Sequence, residues 1–166
     1  MNIHFKITKD LLDEITDDLI RPHLYAAERV GFLFARQGTL DEDTMLMLSI
    51  SYMPIPDNLY VDDPSVGARI NSTAIRNGLQ KSIDSGMSAI HVHFHLFSDY
   101  PRFSKTDEDS LSRLIPSFHH ANSKVPHGAI LLGRFGMVGR IWVTKQKQVG
   151  ITKFSIIGYP CTFHWR

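Results

Sequence analysis

Three histidines and an aspartate stand close together in the middle of the chain, in the segment SAIHVHFHLFSDYPRFSKTD (88–107). His91, His93 and His95 alternate with apolar residues at the two-residue period of a β-strand, which places all three imidazoles on one face of that strand. Residues two apart on a strand are separated by about 6.5–7 Å, from a rise of about 3.3 Å per residue. Two neighbouring imidazoles can therefore lean onto the same metal ion.

Asp107 follows this strand after a loop and stands near the start of a predicted helix, so the loop could fold its carboxylate back toward the histidines. Two histidines and one aspartate, with water in the remaining tetrahedral position, match a hydrolytic zinc site rather than a structural one. Zinc lowers the pKa of its bound water to about 7 and polarises a scissile carbonyl. Such a site also needs a general base, for which Glu28 in the apolar segment AAERVGFLFA is the candidate.

Three short motifs that contain these residues occur in an order typical of one known family. They are Glu28-x-x-Gly31-x-Leu33, His93-x-His95 and Ser104-x-x-Asp107. An apolar strand immediately before the histidines and a helix immediately after the aspartate complete the pattern. The chain thus resembles the JAB/MPN (JAMM) zinc metalloprotease domain over most of its length.

The resemblance implies a role for each matching residue. Glu28 would be the base that activates water, and Ser104 would hydrogen-bond the oxyanion of the tetrahedral intermediate. The implied ligands of a single zinc ion are His93, His95 and Asp107.

The match departs from the usual family pattern in two places. Leu96 replaces the proline that commonly follows the second histidine, and the loop to Ser104 is one residue longer than in the common form. A shifted register, with His91 and His93 as ligands, would need a three-residue insertion. We therefore favour His93 and His95 as ligands and expect His91 beside them, where the partners of metal ligands are normally found.

The resemblance also implies a function, which is that of a zinc-dependent peptidase or isopeptidase. Small bacterial members of the family often accompany ubiquitin-like modifiers and their E1- and E2-like enzymes, some of them in anti-phage (antiviral) operons. The implied reaction is cleavage after the C-terminal glycine of a ubiquitin-like protein, in a precursor or in a lysine isopeptide. We expect the extended tail to bind by strand addition beside the site, with the loop 53–67 as one wall.

Two other functions stay open on the sequence. One is an interaction module that keeps the fold without chemistry, and the other is a zinc hydrolase of a small amide or sulfur-carrier conjugate. The separate motifs also have simpler explanations: a glutamate at a strand start is commonly solvated, and Ser104-x-x-Asp107 is a capping-box pattern. The order of the motifs along the chain, rather than any one of them, favours the enzyme.

Size and composition limit the choice further. The chain has 166 residues and a formal net charge of +1, which fits one domain (1–166) and gives no electrostatic reason for binding nucleic acid or an anionic membrane. A single cysteine, Cys161, rules out an intramolecular disulfide and a multi-thiolate zinc site; we expect it to be a small, partly buried side chain. The first residues lack a secretory pattern and no apolar run approaches membrane length, so we predict a cytoplasmic protein.

The elements that must position the site are predicted from periodicity, caps and turn residues. They are a short edge strand (1–6), a helix capped by Thr8 and ended by Pro22, strands at 24–35 and 44–52, the irregular loop 53–67, a helix from Ser72 or Thr73 to Ser85, the histidine strand, a helix from Ser104 that Pro116 kinks or breaks, strands at 129–134 and 138–144, and a last strand or tail at 152–159. His119 and His120 are expected on a surface turn or helix end, and His127 in a loop away from the site. The predicted fold is α/β, with a central mixed sheet flanked by helices on both faces, which is also the JAB/MPN-like arrangement that the resemblance implies.

Overall fold

The computed structural model describes residues 1–158. The strands, in chain order, are β1 (Asn2–Thr8), β2 (Val30–Asp41), β3 (Thr44–Pro54), β4 (Ser88–Phe94), β5 (His127–Leu132), β6 (Met137–Trp142), β7 (Gln148–Gly150) and β8 (Lys153–Ile157). The α-helices are α1 (Lys9–Leu19), α2 (Ser72–Ser85) and α3 (Lys105–Ala121). The predicted tail residue Tyr159 and the predicted burial of Cys161 lie outside the described residues.

All eight strands form one mixed sheet in the order β7-β6-β5-β4-β2-β3-β1-β8. The histidine strand β4 is central, antiparallel to β2 and parallel to β5. Strand β1 was expected at an edge, but it pairs in parallel with both β3 and β8. The expectation was wrong because a short terminal segment gives no local sign of a partner that lies about 150 residues away in the sequence.

The helices cover both faces of the sheet, as the alternation along β2 shows. Leu33 and Ala35 belong to the core on the α1 side, whereas Phe32 and Phe34 belong to the core that contains residues of α2 and α3. Side chains two apart on a strand share a face, so one strand supplies both cores. The predicted α/β class, with a mixed sheet between helices, is confirmed.

The helix ends follow from their capping residues. Thr8 accepts a hydrogen bond from the Leu11 N–H and begins α1 as predicted. Asn71, rather than Ser72 or Thr73, begins α2, because its side-chain oxygen accepts from two backbone N–H groups of the first turn. Gly86 ends that helix at φ 64°, a left-handed conformation that favours glycine.

Helix α3 continues to Ala121 through Pro116, so the predicted break is absent. The exposed proline stands between Ile115 and Phe118, both of which are buried. Burial of these large side chains stabilises the helical conformation on either side of a residue that disfavours it. Within residues 1–158, no helix combines the length and the apolar character needed to cross a membrane.

Candidate metal centre

Strand β4 presents its histidines to the side of the sheet that α2 and α3 cover. Ile90 and Val92 point into the opposite core, and His91 and His93 therefore share the other face. The strand ends at Phe94, two residues earlier than predicted, and His95 follows it. The ring of His93 is 5.5 Å from that of His91 and 5.0 Å from that of His95, centroid to centroid.

Glu28 precedes β2 and does not lie within a strand, so the predicted strand 24–35 starts six residues too early. The reason is Arg29, whose side chain is only 2% exposed. Its guanidinium donates to the carbonyls of Arg21 and Pro22 at 2.9 and 3.0 Å and to the Asp57 carboxylate at 2.8 Å. These bonds hold residues 21–29 in an irregular path that strand propensity alone does not reveal.

The approach of Glu28 to the site depends on a second backbone contact. Its N–H donates to the carbonyl of Gly67 at 3.0 Å, which ties it to the loop that follows β3. A Cβ at position 67 would lie 2.9 Å from the carboxyl carbon and from one oxygen of Glu28. The absence of a side chain at Gly67 therefore makes room for the Glu28 carboxylate.

Asp107 both caps α3 and faces the histidines. Its carboxylate oxygen Oδ2 accepts from the Ser104 N–H at 2.6 Å, and its own N–H donates to Ser104 Oγ at 3.2 Å, which is a reciprocal capping box. The other carboxylate oxygen, Oδ1, lies 3.1 Å from His93 Nε2. The same carboxylate thus forms the capping box and faces the histidine that was predicted as its fellow ligand.

The structure brings together all five residues that the sequence singled out. His95 Nε2 lies 3.7 Å from Glu28 Oε1 and 3.7 Å from Asp107 Oδ2. One donor atom from each of Glu28, His93 and His95 lies within 4.8 Å of the others. Ser104 lines the same cleft at the start of α3.

The donor set fits a zinc ion. Two ligands bound tetrahedrally at about 2.0–2.1 Å are about 3.4 Å apart; His93 Nε2 lies 3.1 Å from Asp107 Oδ1, and His95 Nε2 lies 3.7 Å from the other oxygen, Oδ2. The group with all donor atoms within 4.8 Å contains Glu28 in place of Asp107. Both ring nitrogens of His93 are buried and neither makes a hydrogen bond of good geometry among the described residues, although Nε2 faces the Asp107 carboxylate at 3.1 Å. A metal ion between Nε2 and that carboxylate would engage one of the two nitrogens. His93, His95 and Asp107 are the residues that would hold the ion.

Protonation states at the site also suit a metal ligand. Burial acts to raise the pKa of Asp107, but the neighbouring His93 and the bonds with Ser104 outweigh it and hold this pKa well below its ordinary value. The carboxylate is therefore ionised. Desolvation lowers the pKa of His91 to about 3 and keeps its imidazole neutral beside His93.

A cleft of about 660 Å³ opens over these residues. One wall is the segment from Asp63 to Ile70, which includes part of the loop expected there, and the opposite wall is one face of α3. Asp63 pairs with Arg69 at 2.8 Å across the first wall. Hydrogen bonds from Ser65 and Arg69 lower the pKa of Asp63 to about 2, so the two charges of this pair offset each other.

Strand addition to the sheet beside the histidines, which we expected for a peptide tail, does not agree with the topology. Strand β4 is hydrogen-bonded on both sides, to β2 and β5, and β2 is likewise occupied by β3 and β4. The outer strands of the described sheet are β7 and β8. An extended ligand would have to lie against the loop wall or α3 instead.

Of the histidines outside the cleft, His119 and His120 lie in the last turn of α3, which is the helix end predicted as one alternative. His119 is nevertheless 3% exposed, and its Nε2 lies 3.1 Å from the Trp142 carbonyl. His127, expected in a loop, is the buried first residue of β5 and bonds the Ala89 N–H and the Asn122 carbonyl through its two ring nitrogens. The preceding Pro126 indicated a loop. Only the tertiary contacts show that this histidine of β5 hydrogen-bonds to both β4 and the end of α3.

Comparisons with known proteins leave the family open. No protein-family model matches the chain, and no curated protein matches it significantly. Among solved structures, the chain is similar to the Trichoplax adhaerens STIL N-terminal domain at 12% identity and a TM-score of 0.39, over 81% of this chain and 39% of that one. The chain thus spans well under half of that protein's length.

Proposed function

We propose that this chain is a zinc-dependent hydrolase of the JAB/MPN type, a peptidase or isopeptidase that acts on a ubiquitin-like modifier. The observation that carries the proposal is the convergence of His93, His95 and Asp107, with the Glu28 carboxylate 3.7 Å from His95. A second observation supports it: within residues 1–158 the buried Nε2 of His93 makes no hydrogen bond of good geometry and faces the Asp107 carboxylate at 3.1 Å.

The roles of the side chains follow from their positions. When bound, zinc would polarise the scissile carbonyl and lower the pKa of a water molecule. Glu28 stands where it can take a proton from the attacking water and later return it to the leaving amine. Ser104 uses its oxygen to accept from Asp107, so its hydroxyl proton stays available to donate to the oxyanion.

The substrate class comes from the family resemblance and from the shape of the cleft. The cleft of about 660 Å³ between the 63–70 segment and α3 lies in the size range of about 300–1,000 Å³ that is usual for ligand sites, and could take the end of an extended tail. Cleavage after the C-terminal glycine of a ubiquitin-like protein, a cytoplasmic setting and E1- and E2-like partners all belong to this proposal.

A second candidate is a zinc hydrolase of a small amide or sulfur-carrier conjugate. The paired edges of β4 favour it, because no sheet edge beside the histidines is free to bind an extended tail. A panel of ubiquitin-like fusions, isopeptide conjugates and small acyl amides separates the two candidates by which compounds are cleaved.

The test of the proposed chemistry is the variant Glu28→Gln, measured for zinc content, unfolding and cleavage of that panel. The amide keeps the shape of the side chain but cannot take a proton, so zinc and stability should be retained while turnover falls by about a hundredfold or more. Retained turnover would remove Glu28 from the mechanism. Loss of zinc would instead identify Glu28 as a metal ligand.

A further inference from the structure

One wall of the cleft is a polar stripe on α3. Thr106, Ser110, Arg113 and Ser117 all line the cleft, and their spacing of four, three and four residues places them along one side of the helix. The stripe begins beside Asp107 and runs away from the histidines. At about 1.5 Å per residue, Arg113 lies about 9 Å further along the helix axis than Asp107.

Two arginines, Arg69 and Arg113, line the cleft, and only one of them pairs with a carboxylate in the described residues. Arg69 is neutralised by Asp63 at 2.8 Å. Arg113 has no carboxylate within 4.0 Å among residues 1–158, and of its N–H groups only Nε is engaged there, with the Asp109 carbonyl at 3.1 Å. Its two terminal nitrogens make no hydrogen bond within residues 1–158, and Arg113 is exposed and lines the cleft.

A free arginine fork in a cleft suits a planar anion. The guanidinium presents paired N–H donors that match the two oxygens of a carboxylate. The hydroxyl of Ser110, one turn closer to the metal centre, provides a further donor on the same stripe.

We propose that Arg113, whose backbone stands about 9 Å along the helix axis from that of Asp107, forms a specificity subsite for a substrate carboxylate. The role of the subsite rests on the proposed function: the hydrolase would select substrates with an acidic group at that distance from the scissile bond. The subsite itself is a property of the cleft and can be measured without turnover.

The first experiment compares two probes on the zinc-loaded protein, suberic acid monohydroxamate and the matching amide, in which a neutral carboxamide replaces the carboxylate. The hydroxamate anchors each probe on the ion, and its six-methylene chain spans about the required distance. We expect the wild type to bind the carboxylate probe about tenfold more tightly at low salt, as for a hydrogen bond to a charged group. The preference should decline at high salt because the site is open to solvent.

Arg113→Gln should remove this preference and leave the affinity for the amide probe unchanged. Arg76→Gln is the matched control, since Arg76 is an exposed arginine of α2 that does not line the cleft, and it should keep the preference. Equal binding of the two probes by the wild type, or an undiminished preference in Arg113→Gln, would overturn the subsite.

A second experiment separates failure of the subsite from failure of the metal centre. Suberate is titrated into metal-free protein while the amide resonances of Ser110, Arg113 and Ser117 are followed by NMR. Saturable shifts that disappear in Arg113→Gln support the subsite, whether or not the hydroxamate probes bind. Failure of both hydroxamate probes to bind would count only against the zinc site. No shift in the wild type would reject the subsite.

Discussion

At the scale of single residues, the Asp107 carboxylate connects the fold to the site. One of its oxygens is fixed by the Ser104 N–H, and the other is thereby directed at His93. A capping bond fixes the rotamer of the side chain, so little further ordering is needed for that oxygen to meet a metal ion. The same bonds keep the carboxylate ionised.

Replacing Ser104 by alanine removes the cap of α3 and one support of Asp107. We expect a loss of about 1 kcal/mol in the free energy of unfolding, as for other N-cap serines, together with weaker zinc binding. Chemical denaturation and a competitive zinc titration measure the two effects. Ser104→Thr keeps a capping hydroxyl and should restore both; an alanine variant with unchanged stability would show that the capping box contributes nothing.

Gly67 is the second residue whose substitution is informative. In Gly67→Ala the new methyl group would lie 2.9 Å from the Glu28 carboxyl group, and since that group is the end of a flexible side chain, it should move rather than the backbone. Turnover should therefore fall at least tenfold, because catalysis depends on the placement of the base, while zinc content and unfolding stay close to wild type.

Gly38→Ala is the control for this change, because a Cβ at position 38 meets nothing within 4 Å. It should leave turnover unaltered. Wild-type turnover in Gly67→Ala would mean that Glu28 need not stay where the structure places it.

At the scale of elements, Arg140 of β6 holds the start of α3 against the sheet. Its guanidinium lies 4.3 Å from the ring centroid of Phe103 and 2.6 Å from the Glu108 carboxylate, one residue on either side of the Ser104–Asp107 cap. It also lies 5.5 Å from the ring of Trp142. The position of the cap therefore depends on a strand two places away from β4 in the sheet.

Replacing Arg140 by methionine should lower the free energy of unfolding by about 1–2 kcal/mol, the sum of a partly buried cation–π contact and an ion pair. Glu108→Gln removes only the ion pair, whose carboxylate is about half exposed, and should cost less than about 1 kcal/mol. Denaturant titration of both variants measures the difference. Equal losses would show that the aromatic contacts contribute nothing.

The elements that sequence patterns predicted well are those with local signals. Helix α1 has its Thr8 cap, and α2 has Gly86 at its end. The start of β2 and the passage of α3 through Pro116 were missed because distant contacts determine them. The bonds of Arg29 keep the residues before Val30 out of β2, and burial of Phe118 extends the helix.

At the scale of the whole molecule, the order of motifs in the sequence predicted which residues meet in the cleft better than it predicted the neighbours of β4 in the sheet. The spacing of His93 and His95 fixes which face they share, and the cap at Ser104 fixes where α3 begins. The neighbours of β4 depend on pairings across the chain, such as β4 with β5, and no local pattern specifies these. The unavailability of a sheet edge beside the histidines could therefore be learned only from the structure.

Buried histidines make the stability of the molecule depend on pH. Burial lowers the pKa of His127 from 6.5 to about 4, and burial also lowers the pKa values of His4 and His119. Between pH 6.5 and 4 the unfolded chain binds the His127 proton and the folded chain does not. The free energy of unfolding should therefore be highest above pH 6.5 and fall as the pH decreases to 4, by up to about 3 kcal/mol for His127.

Denaturation with a chelator present, so that release of metal does not contribute, measures this dependence. His127→Gln should be less stable at neutral pH and show a shallower slope between pH 6.5 and 4. His120, an exposed neighbour in the last turn of α3, provides the control, since His120→Gln should keep the wild-type slope. A His127→Gln slope as steep as the wild-type slope would contradict the assignment.

The zinc content of the purified protein tests the central claim most directly, with His91→Gln, His95→Ala and Asp107→Ala measured beside the wild type. We predict about one zinc ion per chain in the wild type and in His91→Gln, and little in the other two variants, because three protein groups are needed to hold a catalytic zinc. No zinc in the wild type, or as much zinc in His95→Ala or Asp107→Ala as in the wild type, would contradict this prediction.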